Sequence, residues 1–154
     1  MNINTAKYFP RRKFIKAFIS EVLSFNEEMH GIKNIPLNRI NELPEEKIRE
    51  IIPVIFKETD WKIGDDNSLQ VNKKDGYRIY KYLDEVDLFV LQQIQTNTML
   101  DSISKKLVDD HGLDSNEAFK RVSAFFFELV SLMICHPEQQ YDFNQLSNLN
   151  SKNS

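Results

Sequence analysis

A strand-like run that feeds directly into three apolar-periodic segments, from Tyr77 to Pro137, constrains this chain more than any other feature. Residues Tyr77-Arg78-Ile79-Tyr80-Lys81-Tyr82 suit a pleated surface. At Asp84 the period turns helical, and Val86, Leu88, Phe89, Val90, Leu91 and Ile94 make a helix apolar nearly all round, which must be central. Asp84, with Asp87 three residues on, predicts its N-cap. Thr98-Met99-Leu100-Asp101 has the form of a capping box with a shorter acid, and predicts a second helix through Leu100, Ile103, Leu107 and Val108. His111-Gly112 predicts its end, with Gly where a left-handed residue is wanted. After the turn Leu113-Asp114-Ser115, a third helix over about residues 115–134 carries Phe119, Val122, Phe125, Phe126, Leu129, Val130 and Met133 on one broad face, with Pro137 as its stop. Phe125, Phe126 and Phe127 are consecutive and span about 200° of a helix, so at least two are core and one points elsewhere.

The residues before this stretch supply a hairpin and a helical extension. Lys73-Lys74-Asp75-Gly76 is a hairpin signal, because Asp-Gly provides the positive-φ positions of a tight turn. Leu69-Gln70-Val71 alternates as the preceding strand, after a turn at Gly64-Asp65-Asp66-Asn67. Earlier, Phe14, Phe18, Val22, Phe25 and Met29 recur at helical steps, with Gly31 as a C-terminal cap. Pro44-Glu45-Glu46 predicts a second helix start with Ile48, Ile51, Ile52 and Ile55 as its buried stripe, ending or kinking at Pro53. The fold class expected is mainly α with a small β-hairpin: a winged-helix-like three-helix module over residues 61–137, preceded by a helical extension over 1–60. Residues 138–154, rich in Asn, Gln and Ser, are expected as a flexible polar tail with Tyr141 and Phe143 as docking points.

Charge and chemistry exclude several function classes. A net charge of −3 offers no basic field for a polyanion. The lone Cys135 admits no internal disulfide and fits a reducing, cytosolic compartment. Pro10-Arg11-Arg12-Lys13-Phe14 resembles a twin-arginine export signal, but Glu21 and Glu27 break the apolar region that such a signal needs, and the run is read as the basic start of an amphipathic helix. Cys135, His136, His30 and His111 lack metal-ligand spacing, no base accompanies Cys135, and there is no phosphate loop or dinucleotide fingerprint. Neither a catalytic role nor a cofactor is expected.

Two binding readings remain. The helix, short turn and helix from Leu100 to Ile134 have the outline of a DNA-binding unit, but the polar face of the last helix sets Lys120 and Arg121 among Glu117 and Glu128, a poor phosphate surface. A peptide groove suits the residues better: an edge strand at Tyr77–Tyr82 offers main-chain groups to an extended peptide, beside a phenylalanine-rich helix. A structural subunit, in which the N-terminal helices pack a second chain, is the third alternative.

The order of elements from about Leu69 to Pro137 resembles the PqqD-like family of peptide-recognition elements in ribosomal peptide modification. The likeness is carried by Tyr80-Lys81-Tyr82-Leu83-Asp84-Glu85-Val86 at the strand-to-helix junction, by Met99-Leu100-Asp101-Ser102-Ile103, by His111-Gly112-Leu113-Asp114-Ser115-Asn116-Glu117-Ala118 and by the apolar run from Val122 to Met133. The resemblance implies a non-catalytic adaptor that binds a precursor (leader) peptide and presents it to a modifying enzyme, often a radical S-adenosylmethionine protein. It places Arg78, Ile79, Tyr80, Lys81, Tyr82, Lys120, Arg121 and Phe127 along the groove. The chain departs from the family in its helical extension and in Asp84, where an asparagine is usual.

Overall fold

A computed structural model describes residues 34–146 of the chain. The helix expected over 11–29, with its twin-arginine run and any dimer it builds, lies outside these residues, as does the end of the polar tail. The described residues form two compact units, one of residues 34–44 and 140–146 and the other of residues 45–139. They contain both helices and small antiparallel sheets. No helix among them is long and apolar enough to cross a membrane.

The first unit holds two 3-10 turns, Leu37–Glu42 and Phe143–Gln145. The Ile35 N–H donates to the Tyr141 carbonyl at 2.8 Å, and Ile35, Ile40, Leu43, Tyr141 and Leu146 are buried. Tyr141 is thus anchored, and Phe143 lies under the Arg39 guanidinium at 5.7 Å.

The second unit runs α1 (Glu45–Arg49), β1 (Pro53–Ile55), β2 (Trp61–Ile63), β3 (Ser68–Lys73), β4 (Gly76–Tyr82), α2 (Glu85–Gln95), α3 (Leu100–His111), α4 (Ser115–Ser131) and β5 (Cys135–Pro137). Helix α1 stops at Arg49, so the expected four-isoleucine stripe does not form: Ile48 and Ile51 are buried, whereas Ile52 and Ile55 are half-buried. Pro53 disfavours helix at Ile52. Instead the Ile52 N–H donates to the Gln139 side chain, its carbonyl accepts from the Glu138 N–H at 2.7 Å, and β1 pairs with β5 in the register Val54 opposite His136. This two-stranded sheet joins residues separated by most of the unit, and neither strand is long enough to show a period in the sequence.

Helices α3 and α4 follow their expected faces, whereas α2 is not buried all round, Val90, Leu91 and Ile94 being buried and Val86, Leu88 and Phe89 half-buried; two helix ends also differ. The Asp84–Asp87 capping box on α2 is present, Asp84 accepting from the Asp87 N–H at 2.8 Å and Asp87 accepting from the Asp84 N–H at 3.2 Å. Thr98 does not cap α3; Met99 occupies the N-cap without a side-chain bond, and the Leu100 N–H donates to the Ile51 carbonyl at 2.9 Å. A tertiary acceptor has replaced the local one. Gly112 closes α3 at φ 69°. Helix α4 ends at Ser131, six residues before the proline expected to stop it. Met133 turns left-handed at φ 62°, which lets the Ile134 N–H reach the Leu129 carbonyl at 2.9 Å and satisfies the last turn. The core is centred on α4, where Phe125 and Phe126 are buried and Phe127 is half-buried, and it includes Leu69, Ile94, Leu100, Ile103, Leu107 and Ile134.

Strands β2, β3 and β4 form an antiparallel meander. The hairpin predicted between β3 and β4 forms, but its turn is Lys74-Asp75, one residue before the expected Asp-Gly, and Gly76, at φ 117°, opens β4 opposite Lys73. Strand β2 was not foreseen, being only three residues long. The turn that feeds β3 is tightly built: the Asp66 carboxylate accepts from both the N–H and the hydroxyl of Ser68, which lowers its pKa, the hydroxyl bond being the larger cause. A Cβ on Gly64 would sit 2.5 Å from Gln70 Nε2, 2.8 Å from Ser68 Oγ and 2.9 Å from Asp66 Oδ1. Gly64→Ala is therefore expected to cost about 1–3 kcal/mol by forcing these partners apart. A thermal melt unchanged from the parent would show that the turn relaxes freely.

Candidate functional site: the open edge of β4

Strand β4 ends the meander, and no strand among the described residues pairs with its outer side. The direction of its main-chain groups follows from β3. On that strand the Asn72 N–H donates to the Asp60 carbonyl and the Ser68 carbonyl accepts from the Gly64 N–H, so the even positions of β3 face β2. Leu69, Val71 and Lys73 therefore face β4, where they lie opposite Lys81, Arg78 and Gly76. Because alternate residues of an antiparallel pair face away from each other, the N–H and C=O groups of Tyr77 and Ile79 point outward from the sheet.

A β-bulge decides which side chains accompany that edge. The register shifts between Leu69 and Gln70, leaving Tyr80 as the extra residue on β4. Plain alternation would set Lys81 on the same face as Tyr77 and Ile79. With the bulge, Tyr82 takes that place, opposite Ser68, while Lys81 turns to the face of Leu69. There its ammonium pairs with Glu128 at 3.2 Å and lies 5.6 Å from the centre of the Phe125 ring, which holds β4 beside α4.

The apolar consequence is concentrated on this strand. Tyr77 (41% exposed), Ile79 (50%), Tyr80 (42%) and Tyr82 (61%) are the exposed large hydrophobic residues among the described ones. Such a strand, open along its edge, is a template for another chain. A scan of family models finds no match to the chain. No curated protein matches it. Among solved structures it is similar to one described as lasso peptide synthetase B1 complexed with the leader peptide, with a TM-score of 0.44 and 13% identity over 55% of this chain and 98% of that one. At that level the likeness assigns no function to this chain.

Of the residues singled out in the sequence, Arg78, Ile79, Tyr80, Lys81 and Tyr82 share β4. The three on α4 are not equivalent. Arg121 is engaged within the unit, its guanidinium 3.1 Å from Asp84 and 3.0 Å from Asp87. Burial opposes its charge, but the hydrogen bond to Asp87 and the attraction of both carboxylates outweigh it and raise its pKa. The N-terminus of α2 is thereby tied to α4. Helical geometry sets Glu117, Arg121, Ala124 and Glu128 on one face about 60° wide, and places Lys120 and Phe127 about 40–60° beyond its edge. Lys120 is exposed, and Phe127 is half-buried with its ring 5.6 Å from that of Phe126.

Sequence reasoning placed Tyr77 in the edge strand but not among the groove residues, and missed Ala124. The alternation Tyr77-Arg78-Ile79 was a sufficient signal for the first, since an outward Ile79 implies an outward Tyr77. Tyr77 is also braced: its hydroxyl donates to Asp60 at 2.7 Å and the Lys62 ammonium lies 4.3 Å from its ring centre. That bond to Asp60 raises the phenol pKa. Ala124 is the small exposed residue between Arg121 and Glu128. Cys135, in contrast, is buried, and desolvation pushes its thiol pKa up, which disfavours the thiolate. No cluster of metal-ligating side chains occurs among the described residues.

Proposed function

We propose that this protein is a non-catalytic peptide-binding adaptor of the PqqD-like, winged-helix-like kind, acting in the cytoplasm. In this reading the outer edge of β4 takes up an extended segment of a precursor (leader) peptide as a fourth strand and presents it to a modifying enzyme, such as a radical S-adenosylmethionine protein. The observation that carries it is the coincidence, on one strand, of a main-chain edge that no described strand pairs with and the exposed Tyr77, Ile79, Tyr80 and Tyr82. Main-chain bonds supply affinity in such strand addition and alternate side chains supply selectivity. The DNA-binding alternative is disfavoured by the pairing of Arg121 with Asp84 and Asp87, which removes one of two cations from the exposed face of α4.

The test is a titration of the protein with fluorescent peptides encoded beside its gene. Ile79→Pro deletes an outward N–H without removing a bond to β3. Each lost hydrogen bond is worth about 0.5–1.5 kcal/mol, so the variant is expected to bind about two- to tenfold more weakly while its circular dichroism stays that of the parent. Binding by the variant as tight as that of the parent, or no peptide binding at all, sinks the reading.

A further inference from the structure

Resting on strand addition at β4, we infer that the peptide segment it takes is uncharged where it meets the sheet, with apolar or aromatic side chains at alternate positions, and is not an acidic or basic segment. An added strand lays every second side chain on the outer face of the meander, against Tyr77 and Ile79 and, through the bulge, Tyr82. Without the bulge the third of these would be a lysine. Two cations of the strand already have carboxylate partners, Arg78 with Asp75 at 2.9 Å and Lys81 with Glu128 at 3.2 Å, while Lys62 lies over the Tyr77 ring. Charge thus has little to offer an incoming carboxylate, and the exposed apolar area has much.

A second copy of the chain is the competing occupant, and Arg78 does not favour it. The register that bonds Tyr77 of one copy to Ile79 of the other sets the two Arg78 residues directly opposite each other, where the pair gains no opposite charge, each guanidinium being held by its own Asp75.

The experiment is selection of a heptapeptide display library on the full chain. The expected result is enrichment of Val, Ile, Phe or Tyr at positions i and i+2, with binding that changes less than about twofold between about 0.05 and 0.5 M salt. Tyr82→Ser, at a position too exposed to endanger the fold, is expected to weaken the selected peptides about threefold or more by removing apolar contact. Enrichment of acidic or basic sequences, with binding that falls steeply in salt, overturns this inference; if those peptides are still lost in Ile79→Pro, strand addition itself stands. Selected peptides that bind parent and Ile79→Pro alike overturn strand addition, and so does a chain that sediments as a dimer which Ile79→Pro dissociates.

Discussion

Phe126→Ala is expected to cost about 3–5 kcal/mol of folding stability, the range for truncating a fully buried phenylalanine. Phe126 is 0% exposed at the centre of the face that α4 turns to the core. Its neighbour Phe127 is half-buried, with its ring against that of Phe126, so Phe127→Ala is expected to cost about 1 kcal/mol in proportion to the smaller area returned to water. A domain is typically stable by about 5–15 kcal/mol, so the first change leaves a marginal protein and the second an ordinary one. Urea unfolding of the two variants, compared by midpoint at equal slope, checks the assignment. Equal losses would mean that the helix face has been wrongly oriented.

Arg121→Met is expected to destabilise the protein by about 1–2 kcal/mol near neutral pH, with the methionine retaining the packing of the arginine stem. Asp87 is only 8% exposed and loses its guanidinium partner, while Arg121 itself is 33% exposed, which screens the pair and keeps the cost below that of a fully buried one. The pH dependence has a definite sign. The Asp87 N–H, first, and then the Arg121 charge and hydrogen bond hold the Asp84 pKa below its ordinary value of 3.8. A carboxylate with a depressed folded pKa contributes stability that is present above the ordinary value and is lost as pH falls through the folded one. Removing Arg121 leaves the Asp87 contacts in place but takes away the guanidinium charge and its hydrogen bond. The gap between parent and variant is therefore widest near neutral pH and closes below 3.8, as Asp84 takes up its proton. Unfolding measured near neutral pH and again in acid distinguishes this from packing; a gap independent of pH would remove the electrostatic account.

Features set by neighbours in sequence were legible. Asp75-Gly76 marked the hairpin, Asp84 and Asp87 the start of α2, and Gly112 the end of α3, because each depends on a side chain or a φ angle within a few residues. The buried faces of α3 and α4 were legible for a similar reason, since helical spacing projects them directly. What failed was closed by distant partners. Met99 caps α3 because the Ile51 carbonyl receives the Leu100 N–H, and the isoleucines after Arg49 leave the helix because β1 finds β5.

The candidate site divides along the same line. The sequence alone determined that Tyr77–Tyr82 is a strand with an unusual load of exposed-capable aromatic residues, and that it runs into a capped helix. Only the tertiary structure decided that β4 is an edge, that the bulge at Tyr80 exchanges Lys81 for Tyr82 on the outer face, and that Arg121 is bound to Asp84 and Asp87. The physical reason is that strand propensity is a property of residues, whereas register and edge are properties of pairing. A single inserted residue in a pleat of period two turns every side chain beyond it to the other face, and no local pattern records where the partner strand places it.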